Sequence, residues 1–322
     1  MTLSLVTGGS GFVGRHLTEK LFLRGENVRV LDLVHSEAAE TIVGSVDDSE
    51  IARRACEGVD TVFHLAGNAQ LWARDEAIFD RINRGGTEAM LAAAESCGVR
   101  RFIHCSSLTT LVGRSTPIGP SQADESICFS PDEMLGAYPR SKRLAELAVE
   151  RSVLDWVIAA PTEPLGPGDE SFTPPTRLII DLLRGRTPAT INCTFNFVDV
   201  KSLAEGLIAA RDKGARGERY LLAGENVTMR RLLETLEAKT GRRMPRAQLP
   251  YSIALLAGII DTQLIARLTG KAPRAPLTGV RLAGRRVEFS SAKAKADLGW
   301  ESAPFEDALQ SALDWLSKKG AV

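Results

Sequence analysis

The five cysteines (Cys56, Cys97, Cys105, Cys128 and Cys193) are odd in number, scattered and never in a C-x-x-C pair. That excludes a disulfide framework and a thiolate metal site, and it predicts buried thiols in a reducing compartment. Histidine is equally sparse: His16, His35, His64 and His104 show no ligand spacing, so no metal is expected. Charge of one sign is missing too, because Lys+Arg and Asp+Glu both number 40. A chain without a basic field is not built for nucleic acid. The longest apolar run, residues 253–260, is too short to span a bilayer. The first strand pattern starts almost at Met1 and leaves no room for a signal peptide. These absences predict a cytoplasmic protein with no membrane span. No internal repeat is visible, and 44% apolar with 25% charged residues is ordinary globular composition.

What is present begins with Val6-Thr7-Gly8-Gly9-Ser10-Gly11-Phe12-Val13-Gly14, between an apolar run (Leu3, Leu5, Val6) and a segment with helical spacing (Phe12, Leu17, Leu21). Both Gly9-x-Gly11-x-x-Gly14 and Gly8-x-x-Gly11-x-x-Gly14 fit. At a strand-to-helix turn, one glycine supplies a positive φ, another lets backbone touch a pyrophosphate, and a third lets helix pack on strand. The helix N-terminus then offers free N–H groups to phosphate. Asp32 ends the next strand pattern, 28–32, eighteen residues beyond Gly14. A carboxylate there accepts hydrogen bonds from ribose hydroxyls and repels a 2′-phosphate, and Leu33, Val34, His35 and Ser36 supply no cation to hold one. NAD is therefore expected rather than NADP.

Strand-like and helix-like runs continue to alternate at 41–43, 50–56, 61–65, 82–97 and 101–105. Alternation of this kind predicts an α/β fold with a doubly wound, Rossmann-type parallel sheet. Small residues follow the fourth strand at Leu65-Ala66-Gly67, where a flat ring could lie against backbone. A Pro/Gly/Ser-rich loop (113–131) precedes a helix starting near Tyr138, and Tyr138 and Lys142 share its face. After a strand at 155–159, a Pro/Gly cluster (161–175) reads as the exit from the sheet. We expect an NAD-binding domain over 1–165, its sheet completed by about 196–222. Residues 166–195 and 223–322 should form a smaller, mixed C-terminal substrate lobe. Within these regions 197–200 and 219–222 read as strands, and 229–240, 251–268 and 306–316 as helices.

The glycine turn, Asp32, Ser106-Ser107 after the fifth strand and Tyr138-x-x-x-Lys142 together resemble the extended short-chain dehydrogenase/reductase superfamily, also called the NAD-dependent epimerase/dehydratase family. The likeness extends through Asn83-x-x-Gly86-Thr87, Pro161-Thr162, Phe197-Val198-Asp199-Val200 and Leu298-Gly299-Trp300. Asn196 to Val200 and Leu268 to Pro273 look most like the dihydroflavonol reductase and 3β-hydroxysteroid dehydrogenase branch. The resemblance implies an oxidoreductase with a Ser107, Tyr138, Lys142 catalytic set. It implies cofactor contacts from Gly8, Gly11, Phe12, Val13, Gly14, Asp32, Val46, Leu65, Ala66, Gly67, Asn83, Tyr138, Lys142 and Pro161. Chemically, Tyr138 is the proton donor, Lys142 and an oxidised nicotinamide lower its pKa, and Ser107 holds the substrate oxygen, with Thr109 a second candidate for that role. Phe195 stands where nucleotide-sugar enzymes of the family commonly carry an Arg. Phe195 and the 251–260 helix, Tyr251 foremost, are expected to wall an apolar substrate site. The alternatives are a nucleotide-sugar epimerase or dehydratase, and a non-catalytic NAD-binding protein. Alanine-rich helices at 88–96 and 142–149 suggest a homodimer.

Overall fold

The computed structural model describes residues 2–36 and 39–322, so the expected strand start at Met1 falls partly outside the described residues. Seven parallel strands make the main sheet: β1 Leu3–Thr7, β2 Asn27–Asp32, β3 Glu40–Val43, β4 Thr61–His64, β5 Arg101–Cys105, β6 Asp155–Pro161 and β7 Glu218–Leu222. Their spatial order is β7-β6-β5-β4-β1-β2-β3. The order reverses between β1 and β4, the point beyond whose carboxyl ends ligands bind in such sheets.

Alternate side chains feed the two faces. Val6, Phe63 and Ile103 pack with Leu17, Leu21, Leu203 and Leu207 from helices α1 (Phe12–Leu23) and α6 (Val200–Lys213). Leu5, Val62 and Phe102 pack on the other face with residues of α2 (Ser49–Cys56), α3 (Gly86–Ser96) and α4 (Ala137–Glu150). Both faces are apolar because both are covered. The lobe adds α5 (Pro174–Leu183), α7 (Met229–Thr240), α8 (Tyr251–Thr269, with one wide turn over Asp261–Ile265), α9 (Leu277–Ala283) and α10 (Phe305–Lys318).

Several expectations change. The helix placed at 82–97 starts earlier, with Ala77–Phe79 and a wide turn over Asp80–Gly85 feeding α3, because the Asp75 carboxylate accepts from the Ala77 N–H at 3.0 Å. The segment Thr194–Asp199 does not complete the main sheet. It pairs with Glu163–Leu165 and Glu225–Thr228 in a separate three-stranded sheet, leaving β7 alone to complete the first. Val200 is helical rather than a strand residue, since Asp199 caps α6 by accepting from the Ser202 N–H at 2.7 Å. All five thiols are free, yet Cys128 is exposed rather than buried. Of the alanines in the two helices named for a dimer, Ala93, Ala94 and Ala145 are buried within the chain, whereas Ala92 is exposed. Lastly, the apolar run at 253–260 belongs to a 19-residue helix, long and apolar enough by length and composition to cross a membrane.

Candidate active site

A cavity of about 910 Å³ opens along the carboxyl ends of the strands, between the main sheet and the lobe. Its nucleotide end is built by the glycine turn. Gly8 has φ +71°, and a Cβ on it would sit 2.9 Å from the Ala66 backbone nitrogen. A Cβ on Gly14 would fall 2.0 Å from the Gly8 carbonyl oxygen, so neither position accepts a side chain. Gly11 begins α1 without any side-chain cap, which leaves the first-turn N–H groups for a ligand anion. Asp32 accepts from the Ser10 N–H at 2.9 Å, so the carboxylate also ties down the turn it faces. Phe12, Val13, Val46, Leu65, Ala66, Gly67 and Pro161, the expected cofactor contacts, all line the cavity. Asn83 lines it as well, but its polar atoms are engaged. Its Oδ1 accepts from the Asn68 N–H at 2.7 Å, and its Nδ2 donates to the Asn68 carbonyl and to Ser141 Oγ.

At the junction of sheet and lobe, Ser107, Thr109, Tyr138 and Lys142 converge on the same cavity. Tyr138 enters from the first turn of α4, and Ser107 precedes a short 3-10 turn, Leu108–Leu111. The Ser107 side chain hydrogen-bonds the Tyr138 hydroxyl, and Thr109 Oγ1 donates to Ser107 Oγ at 3.0 Å. Lys142 Nζ donates to the Cys105 carbonyl at 2.7 Å.

Electrostatics here run against the simplest expectation. Burial pushes the Tyr138 phenol up to about 12, outweighing the Ser107 hydrogen bond that favours the phenolate. Burial likewise lowers the Lys142 ammonium from its usual value. The expected lowering of Tyr138 by Lys142 is therefore absent from the protein alone, because desolvation disfavours both charged forms. Beside them, burial depresses His64 to about 3. A neutral His64 receives the Thr7 hydroxyl on Nδ1 at 2.8 Å and donates from Nε2 to Thr87 Oγ1 at 3.0 Å. That tautomer is assigned because Thr87 Oγ1 itself donates to the Asn83 carbonyl. His64 and His104 lie buried at β4 and β5.

Residues 4–223 match the NAD dependent epimerase/dehydratase family. The chain belongs to this family. It is 31% identical to a putative dihydroflavonol 4-reductase of Synechocystis sp., over 98% of this chain and 95% of that one. It is 28% identical to a 3 beta-hydroxysteroid dehydrogenase/Delta 5→4-isomerase of Mycobacterium tuberculosis, over 92% and 85%. The crystal structure of gox2253 superposes with a TM-score of 0.85 at 32% identity, covering all of both chains. An extended short-chain dehydrogenase/reductase enzyme of the dihydroflavonol reductase and 3β-hydroxysteroid dehydrogenase-like branch, with NAD as cofactor, follows from these matches. The uncapped α1 N-terminus and the side-chain-free cradle at Gly8 and Gly14 fit that dinucleotide.

Within this family enzyme, two features escaped the sequence reading. Glu146, one helical turn beyond Lys142, is fully buried and receives Ser106 Oγ at 2.5 Å, Thr110 Oγ1 at 3.0 Å, Arg143 at 3.0 Å and Arg219 at 2.9 Å. It pins both sides of Ser107. The i, i+4 spacing from Lys142 was the available signal. Glu163 also lines the cavity, and burial raises its carboxyl to about 8 despite the hydrogen bond from the Asn196 N–H at 2.9 Å.

One expectation fails outright. Tyr251 does not line the cavity: it packs over Gly284, and its helix turns Ile253, Leu256 and Ile260 to solvent. The lobe wall comes instead from Phe195, which stacks on Phe197 at 5.3 Å, and from Leu178, Leu282, Val287 and Phe289. Apolar periodicity showed that α8 has a face, not what that face touches.

Proposed function

We propose that this chain interconverts a secondary alcohol and a ketone on an apolar small molecule. One observation carries the reading. Among the described residues, the ionisable side chains lining the cavity are Asp32, Arg81, Lys142 and Glu163, and Arg81 pairs with Asp47 at 3.5 Å on the exposed side. No cation stands among the lobe residues of the wall, so a sugar nucleotide's diphosphate would be buried without a partner, at a cost of several kcal/mol. An apolar ketone meets Phe195, Leu178 and Leu282 instead. The names of the reductase and hydroxysteroid dehydrogenase relatives are in keeping with such substrates.

NAD, when bound, supplies the hydride chemistry. Ser107 donates to the substrate oxygen and holds it beside Tyr138. Tyr138 gives that oxygen its proton in reduction and takes it back in oxidation. Lys142 places positive charge near the phenol, and Asp32 selects NAD over NADP by repelling a 2′-phosphate. Glu146 acts through Ser106 and Thr110 as a positioning residue.

The test is NADH consumption with a panel of ketosteroids, flavonoid ketones and 3-keto acids, alongside UDP- and dTDP-sugars as ligands in thermal unfolding. We expect turnover in the apolar set and no stabilisation by any sugar nucleotide. A UDP-sugar that stabilises the NAD complex, with every apolar ketone inert, overturns the reading in favour of an epimerase.

A further inference from the structure

Helix α8 contributes no residue to the cavity. Ile253, Leu256, Ile260, Leu264 and Leu268 recur at spacings of three, four, four and four, which places them on one face. All five are exposed, from 44% at Ile260 to 77% at Leu268. Of the whole helix only Gly258 and Ala266 are buried. The surroundings are strongly cationic. Between residues 242 and 286 stand nine Lys and Arg (Arg242, Arg243, Arg246, Arg267, Lys271, Arg274, Arg281, Arg285 and Arg286) against the single Asp261, a net of +8 in a chain whose total is zero. Among the described residues, only Arg246 of the nine pairs with a carboxylate, Glu237. Arg267 lies one turn from Leu264 on the helix, and Lys271 and Arg274 follow its end, all three exposed.

We propose that this face docks the enzyme on an anionic lipid bilayer, with α8 lying in the interface. An exposed apolar stripe with the exposed cations Arg267, Lys271 and Arg274 at its end is the pattern that such surfaces bind. Length alone would let α8 cross, since 19 residues rise about 28 Å. Its inner side is fastened, however. Tyr251 packs on Gly284 and Gly258 on Val280, Asp261 Oδ2 accepts from the Ala275 N–H at 3.0 Å, and Thr262 Oγ1 from the Leu277 N–H at 2.9 Å. Crossing would break these contacts, whereas lying flat keeps them and buries only the outer stripe. A second copy is the poorer occupant, because a two-fold contact through this patch would set one +8 segment against another. Helix α9 lies between α8 and the cavity and contributes Gly279, Leu282 and Ala283 to its wall, so the docked cavity stands one helix from lipid.

Flotation of the full chain with phosphatidylcholine vesicles, with and without phosphatidylglycerol, tests this. Wild type should float with the anionic vesicles and several-fold less with neutral ones, and added salt should weaken it. Leu264→Glu/Leu268→Glu should cut binding by roughly a hundredfold, about tenfold per leucine, without moving the unfolding temperature. Lys271→Glu/Arg274→Glu should cut anionic binding by at least about tenfold while sparing the neutral baseline. No flotation of wild type, or flotation indifferent to the leucine pair, overturns the proposal. So does a wild-type dimer that the leucine pair converts to monomer. Turnover of a water-soluble ketone reads the redox site separately, so either conclusion can fail alone.

Discussion

Replacing Glu163 by Gln gives the sharpest check on the electrostatics of the cavity wall. Glu163 is half-buried beside Asn196, and desolvation raises its carboxyl from 4.5 to about 8. Below the unfolded value both states are protonated, and the side chain contributes no pH dependence. Between 4.5 and about 8 the unfolded chain gives up its proton while the native carboxyl keeps it, so stability falls as pH rises. At about 1.36 kcal/mol per pH unit between 4.5 and about 8, the loss has an upper bound of roughly 5 kcal/mol, reached once the native carboxyl has ionised. Gln cannot ionise, and its Oε1 can still accept from the Asn196 N–H. Urea unfolding of the cofactor-free pair from about pH 5 to about pH 9 should therefore show the variant gaining steadily on wild type. The gain should level off above the folded value. Parallel stability curves would mean that Glu163 is ionised and solvated in the native state, and the raised carboxyl would be refuted.

Three other outcomes follow from named contacts. Tyr138→Phe should lower turnover by roughly 10²–10⁴-fold and leave calorimetric NAD affinity nearly unchanged; a variant keeping a tenth of wild-type turnover would exclude Tyr138 as the acid. Asp32→Ala removes the acceptor of the Ser10 N–H as well as the ribose-facing carboxylate, so NAD affinity should fall by about 1.5–3 kcal/mol and the NAD/NADP gap should narrow; equal kcat/KM for both cofactors in wild type refutes the selection by Asp32. Glu146→Ala takes one of two carboxylate partners from Arg143 and Arg219, which keep Glu150 at 2.7 and 3.2 Å, and should cost about 1–3 kcal/mol in chemical unfolding; Glu146→Gln, which still accepts from Ser106 and Thr110, should lose less activity than the Ala variant, and equal losses would refute positioning through those hydroxyls.

How far the sequence could be read depended on whether a requirement is local. Gly8 and Gly14 were legible because backbone crowding at one turn decides them, and Asp32 because a strand end at fixed distance decides it. The parallel character of the main sheet followed from alternating strand and helix runs, whereas its strand order is visible only in the fold. Thr194–Asp199 was misassigned because nothing local distinguishes a strand of the large sheet from one paired with Glu163–Leu165. Glu146 went unread because a carboxylate in a charged helix looks solvated until Arg219, 73 residues away, is brought against it. Tyr251 was misplaced for the same reason in reverse: its helix meets Gly284 and solvent rather than the cavity.

The apolar cavity and the proton chemistry place opposite demands on the same residues. Excluding water favours a neutral ketone, yet the same burial holds Tyr138 near 12 and lowers Lys142, so both groups resist the charges that the reaction uses. Coulombic help must then come from nearby at low dielectric, where it is strongest. Lys142 keeps its amine fixed on the Cys105 carbonyl, four residues along the helix from Tyr138, and Glu146 one turn further on supplies the negative charge that favours the ammonium. In the free protein Tyr138 thus stays protonated across the neutral range, ready to donate. Ionisation near neutrality requires a further positive charge beside it, such as an oxidised nicotinamide ring. On the proposed mechanism, proton transfer in the oxidative direction is thereby tied to cofactor occupancy.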